Sequence, residues 1–426
     1  MHLKFVIVLF LIQLRCIAVG SCAYAQDLRS DTLKLGIKDA EKAFLQNNLT
    51  LLAQHYNIDN ASAQVITAKL FANPDFSFSN GVYASQVPHA YNEQTYSISQ
   101  VISTAGKRNK NIQLAQLGVE QAKYQFFDLL RTLKFTLRND FYTIYFQEQS
   151  AKVYTEEIAS LSKTLVAFKE QYAKGNIAQK EVLRIQSQLY ALQSEYNDLL
   201  LNIDTTQSEF KLLIKTIPST YITPVMQVDS SQMQTVESVP YQKLLDSAYV
   251  NRYDLRYAKS AITYSDLNLK LQKATAVPDF SLALNYDKLG AYGQNFLGAG
   301  IEFNLPFFNR NQGGIKQARI AIDQSKTQFQ NQQNQVESDV ATNYTGALRL
   351  QHLYSSFDPA FKQDFTHLIQ EVFKNYQKRN INLLEFLDFY DSYKTNILQF
   401  NNIMLHKYTS LEQLNYVTGT PFFNQQ

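Results

Sequence analysis

The stretch ANPDFSFSNGVY occupies residues 72–83, and its core returns as VPDFSLALNY at residues 277–286. Pro74 and Pro278 stand 204 positions apart. In the first copy Phe76, Phe78 and Val82 alternate with Ser77, Ser79 and Gly81; in the second Phe280, Leu282, Leu284 and Tyr286 share one face. Period-two alternation of apolar with small or polar residues predicts a half-buried strand. Each strand has a follower. Tyr96 and Ile98 alternate with Ser97 and Ser99, and Leu297, Ala299, Ile301, Phe303 and Leu305 alternate with Gly298, Gly300, Glu302 and Asn304.

The repeat extends well beyond these strands. Tyr172-Ala-Lys-Gly-Asn-Ile177 recurs as Tyr376-Gln-Lys-Arg-Asn-Ile381, again displaced by 204. Ile112, Val119, Phe126 and Leu133 are spaced by sevens, as are Ile315, Ile322, Phe329 and Val336, displaced by 203. Three landmarks in one order at nearly constant displacement predict a whole-domain tandem duplication. Each half reads as a helix (about 32–70 and 241–274), a strand pair, a very long helix (about 107–174 and 314–378), a turn and a returning helix (about 178–216 and 383–416). A helix of more than 60 residues is roughly 100 Å long, and sevenfold spacing predicts coiled-coil packing. Asp358-Pro359 should kink or break the second long helix, since proline removes a donor and clashes with the preceding turn. The expected divisions are a signal peptide at 1–25, a first repeat at 26–216, a connector at 217–240, a second repeat at 241–418 and a tail at 419–426. The connector, with Pro218, Pro224, Ser230 and Ser231, should carry little regular structure; with the tail it can form a small collar.

The first 25 residues read as a leader: a basic start, an apolar run from Phe5 to Leu14 and an Ala23-Tyr-Ala25 cleavage site. Val19-Gly-Ser-Cys22 loosely resembles a lipobox, which would instead make Cys22 an acylated first residue. Both cysteines, Cys16 and Cys22, precede the cut, so the mature chain is expected to have no thiol or disulfide. Removing Lys4 and Arg15 reduces the net charge from +3 to +1. A near-neutral surface gives no nucleic-acid footprint. The six histidines show no ligand spacing, and no phosphate loop or nucleophile elbow is present, so no cofactor, metal or catalytic residue is expected.

Segments of about 10 alternating residues suit tilted membrane strands. Four strands cannot close a barrel, and an open edge in lipid costs several kcal/mol per unpaired backbone group. Several chains must then contribute, and three give twelve strands and a lumen. The expected lipid face comprises Phe76, Phe78, Phe280, Leu282, Leu284, Ile301 and Phe303. A secreted helical coiled-coil protein without a pore is the alternative; it explains the heptads but not the paired strands.

The arrangement resembles the TolC family of outer-membrane channel tunnels. The residues that carry the resemblance are the duplicated proline-led hairpin, Gly106-Lys-Arg108 before a long helix, Asn304-Leu-Pro-Phe-Phe308 after the fourth strand, the two Tyr-x-x-x-Asn-Ile turns, and Arg252-Tyr-Asp-Leu255. Length and the compact connector look most like the CzcC- and CusC-like heavy-metal efflux branch. The resemblance implies a mainly α protomer with a β-barrel part, trimerising into a twelve-stranded barrel and a twelve-helix periplasmic tunnel. It further implies a passive conduit in the outer-membrane lipid of a Gram-negative bacterium, meeting a periplasmic adaptor and an inner-membrane pump of the RND class. By the same resemblance the turns, with Tyr172, Gly175, Asn176, Tyr376, Arg379 and Asn380, form the tip that meets the adaptor. Arg379 stands where the first turn has Gly175, and Asn380 can supply the left-handed position instead. Glu385 and Asp388 are similar to an acidic pair at a closed tunnel entrance, and their spacing of three puts both on one helix face. Glu181 matches Glu385, but Arg184 stands opposite Asp388, which suggests an Arg184–Asp388 ion pair holding the mouth shut. An ordinary hairpin turn and a solvated acidic face are the plain alternatives.

Overall fold

The computed structural model describes residues 31–82, 93–226, 235–290, 293–357 and 367–424, apart from 370, 373, 377 and 379. Cys22, Asp358, Pro359 and Arg379 lie outside these residues. The chain forms two compact units. One, the hairpin unit, comprises residues up to 47, 140–228 and 368–401. The other, the sheet unit, comprises 48–139, 229–367 and 402 onward.

In chain order the elements begin with β1 (Thr32–Leu35), α1 (Ile37–Asn47), α2 (Leu49–Lys69), β2 (Asp75–Asn80) and β3 (Gln94–Ile102). The helices α3 (Lys107–Ala173) and α4 (Gln179–Ile214) follow, then β4 (Tyr221–Pro224). After a 3-10 turn at Val236–Ser238 come α5 (Tyr241–Asn251), α6 (Tyr253–Thr275), β5 (Phe280–Gly290), β6 (Gly293–Phe303), α7 (Gln312–Ser355) and α8 (Leu383–Thr418). Among the described residues no helix is long and apolar enough to cross a membrane.

Helix α3 runs 67 residues because its sequence holds no proline and only one glycine, Gly118. It stops where Gly175 takes φ +75°, a conformation open to a residue without a Cβ. The expectation of one helix over 32–70 is corrected. Thr32-Leu-Lys-Leu35 is a strand, and the rest divides at Asn48, whose Oδ1 accepts the Leu51 N–H at 2.9 Å. That side chain caps α2. The expected helix over 241–274 likewise divides, at Arg252, 204 positions further on. α7 ends at Ser355, short of the proline.

In the hairpin unit β1 pairs in parallel with β4, so the connector is more ordered than its prolines suggested. Gln207, 1% exposed, holds β4 from α4: its side chain donates to the Ile222 carbonyl at 2.5 Å and accepts the Ile222 N–H at 3.2 Å. The core packs Leu161, Ile185, Leu192 and Phe386 among Tyr376, Ile381 and Leu383. In the sheet unit the strands run β2-β3-β5-β6, all antiparallel. Helices α5, α6, α7 and the end of α8 enclose Leu244, Ala248, Leu255, Val336, Val340 and Leu414. Phe423 of the tail is fully buried in that core beside Val236 of the connector.

Candidate functional site

The sheet and the helical turns hold the residues singled out from sequence. Register places Phe76, Ile98, Leu284 and Ala299 in one row across the sheet, and Phe78, Tyr96, Tyr286 and Leu297 in the next. Ile102, Phe280 and Phe303 form a third row. Phe76, Phe78, Leu282, Leu284, Ile301 and Phe303 are exposed and Phe280 is half-buried. The rows between carry Ser77, Ser97, Asn285 and Gly298. Exposed apolar faces of this kind commonly mark a membrane or protein contact. β2 spans six residues, shorter than the ten expected.

Both helical turns are tied by one pattern of hydrogen bonds. The Asn176 N–H donates to the Gln171 carbonyl at 2.9 Å, and the Asn176 side chain donates to Gln171 Oε1 at 2.8 Å. In the second turn the Asn380 N–H donates to the Asn375 carbonyl at 2.9 Å and its side chain to Asn375 Oδ1 at 3.0 Å. A six-to-one bond of this kind closes a helix C-terminus. Tyr172 is exposed, whereas the Tyr376 ring stacks on Phe386 with centroids 4.4 Å apart. Burial, reinforced by Glu181, pushes the Tyr376 phenol above its ordinary pKa.

At the start of α8 the Asn382 side chain accepts the Glu385 N–H at 2.9 Å. Glu385 and Asp388 are both exposed, as is Arg184 on α4. Among the described residues no ion pair joins Arg184 to Asp388 within the chain.

Reading the sequence missed a buried polar cluster further along the same helices. Lys394 on α8 donates to Glu195 on α4 at 3.0 Å and sits 3.1 Å from Asp391. The Tyr154 hydroxyl donates to Glu195 at 3.3 Å. Burial alone would push Lys394 down, but the two carboxylates outweigh it and hold it above the usual lysine value. Glu157 on α3 is 3% exposed, and its Oε1 has no hydrogen-bond partner among the described residues. Burial raises its pKa to about 8, against the pull of Lys394 and with the help of Asp391, Glu195 and Glu156. The folded state therefore holds a proton that the unfolded chain releases near 4.5. Stability from this group is complete below pH 4.5 and fades as pH rises through 8. Denaturation midpoints measured at pH 5 and pH 9 should show this fall, and Glu157→Gln, neutral throughout, should flatten it.

The sheet unit carries a cavity of about 310 Å³ beside α3 and the end of α8. Its cations are already paired: Arg131 with Asp128 at 2.6 Å and Arg138 with Glu412 at 2.7 Å. They are struts of the fold. No group of His, Cys, Asp and Glu suited to a metal ion occurs among the described residues.

Long helices and one antiparallel four-stranded sheet make up the fold, and solved outer membrane channels share it. The Campylobacter jejuni CmeC outer membrane channel aligns with TM-score 0.73 at 14% identity, covering 92% of this chain and 87% of that one. CusC aligns with TM-score 0.73 at 15% identity, covering 94% and 96%. The Vibrio cholerae outer membrane protein VceC aligns with TM-score 0.70 at 15% identity, covering 91% and 96%. At these identities the likeness is one of fold. No curated protein sequence matches the chain. Residues 42–214 match the model of the outer membrane efflux protein family.

Proposed function

We propose that this protein is the outer-membrane channel component of a tripartite efflux system, a passive conduit that catalyses no reaction. The observation that carries this is the four-stranded sheet, with one mainly apolar face interrupted by Gln100, a mainly small and polar opposite face, and two edges unpaired among the described residues. Three copies would supply twelve strands, close the edges and place Ser77, Ser97, Asn285 and Gly298 around a watery lumen. The family match supports the efflux role. The duplicated helical hairpins would then build a twelve-helix periplasmic tunnel. Its tip would be the turns at Tyr172, Gly175, Asn176, Tyr376, Arg379 and Asn380, facing a periplasmic adaptor and, through it, an inner-membrane pump of the RND class.

Glu385 and Asp388 would line the tunnel mouth. Three copies present six carboxylates around one constriction, which favours cations. With no Arg184–Asp388 pair inside the chain, such a pair would have to join neighbouring copies. Single-channel conductance of the purified protein in a planar bilayer tests the reading. Wild type should give a small, cation-selective conductance; Glu385→Ala/Asp388→Ala should enlarge it and abolish the selectivity. Unchanged currents would remove the gate and keep the channel. Extraction from membranes by salt and alkaline washes would remove the channel itself.

A further inference from the structure

The Pro-Asp-Phe motif of the second half is tied to residues of the first half. Asp279 accepts the Thr104 N–H at 2.7 Å and pairs with the Lys107 ammonium at 2.8 Å. Lys107 also donates to the Val277 carbonyl at 2.7 Å, and the Thr104 hydroxyl to the Pro278 carbonyl at 2.7 Å. The strand entry of the second half is thus fastened to the strand exit of the first. Burial would push Asp279 up, but Lys107 and Thr104 outweigh it and hold its carboxyl below the usual range.

The counterparts of this junction are legible in the chain. Asp75 stands 204 residues before Asp279, and Arg310 stands five before Ile315, as Lys107 stands five before Ile112. The neighbouring residues support this equivalence through contacts within each half. Arg108 donates to the Lys69 carbonyl at 3.0 Å, and Asn311, 203 positions on, donates to the Gln272 carbonyl at 2.8 Å, also 203 positions on. Asp75 and Arg310 are exposed, and among the described residues neither side chain has a partner. They cannot meet within one open sheet. Asp75 begins β2 and Arg310 follows β6, the two opposite edges, about 14 Å apart at roughly 4.8 Å per strand.

We propose that Arg310 of one chain pairs with Asp75 of a second copy, repeating between chains the junction that Lys107 and Asp279 make within one. The contact is head-to-tail, with different surfaces on the two sides, and such a contact closes into a ring when the rotation allows. It rests on the multichain channel reading and adds to it the pair that fixes which edges meet.

Charge reversal tests it on the full-length protein in detergent, with oligomer mass and dissociation rate as readouts and far-ultraviolet circular dichroism as a check on folding. Asp75→Arg and Arg310→Asp should each speed dissociation about tenfold, as like charges meet at every junction. The combined variant should recover most of the wild-type rate. A stable wild-type oligomer that is indifferent to both single changes, or not rescued by the pair, would overturn the contact and leave the channel reading standing. A wild-type protein that is monomeric under the same conditions would sink both.

Discussion

Arg252→Ala is expected to cost the sheet unit about 3–5 kcal/mol, the range for removing one partner of a buried ion pair. Arg252 is 4% exposed and lies at the break between α5 and α6. Its guanidinium donates to Asp254 at 2.6 Å and to Asp339 on α7 at 2.9 Å. Burial opposes the charge, but the two carboxylates outweigh it and raise the Arg252 pKa further. Asp254 is likewise resisted by burial and held below its usual range by Arg252 and Arg131. Alanine would leave Asp254 and Asp339 facing each other without their shared cation. Denaturant midpoints should fall steeply, and Arg252→Lys should recover only part of the loss, since lysine lacks the planar fork. A change below about 1 kcal/mol would mean that water replaces the guanidinium without strain.

Phe386→Ala should cost the hairpin unit a similar amount, about 3–5 kcal/mol for a fully buried phenylalanine. The ring is 0% exposed, stacked on Tyr376 and 5.3 Å from the Tyr390 ring. It lies between the exposed Glu385 and the half-buried Leu387, and it packs with Val182, Ile185 and Leu189 of α4. Hydrogen exchange should show residues 383–398 losing protection, with the Asn380 turn following because Tyr376 loses its stacking partner. Phe386→Leu, which keeps most of the volume, should lose less than half as much. If amide protection is unchanged in the alanine variant, the stack contributes nothing to holding the turn.

Periodicity exposed the long elements well. The helix expected over 107–174 is found over 107–173, and all four alternating segments are strands. What escaped were short elements whose signals are weak over a few residues. Thr32-Leu-Lys-Leu35 was absorbed into a helix because four residues establish neither period, although Gly36 marks the stop. Tyr221-Ile-Thr-Pro224 has strand-forming residues, yet Pro224 and the nearby Pro218 argued for loop. The candidate site was legible only in part. Charged residues usually lie at the surface, so nothing in the sequence marks Lys394 and Glu157 as buried, or the phenylalanine between the two carboxylates as core. Arg252-Tyr-Asp-Leu255 stands out as a motif, but the other partner of Arg252, Asp339, lies 85 residues past Asp254 on another helix. No local pattern announces that partner.

The pairing of β3 with β5 sets a timetable for the newly made chain. Ile102 lies opposite Phe280, so the sheet cannot join its two hairpins until most of the polypeptide has emerged. The helices, whose contacts are local, form orders of magnitude sooner than pairings so distant along the chain. Each hairpin must therefore wait with its backbone edge open, and after they meet the two outer edges still wait for something else. An intermediate of this kind is prone to aggregation. Its survival would depend on a holding factor that covers strand edges rather than helices, and on how quickly chains find each other.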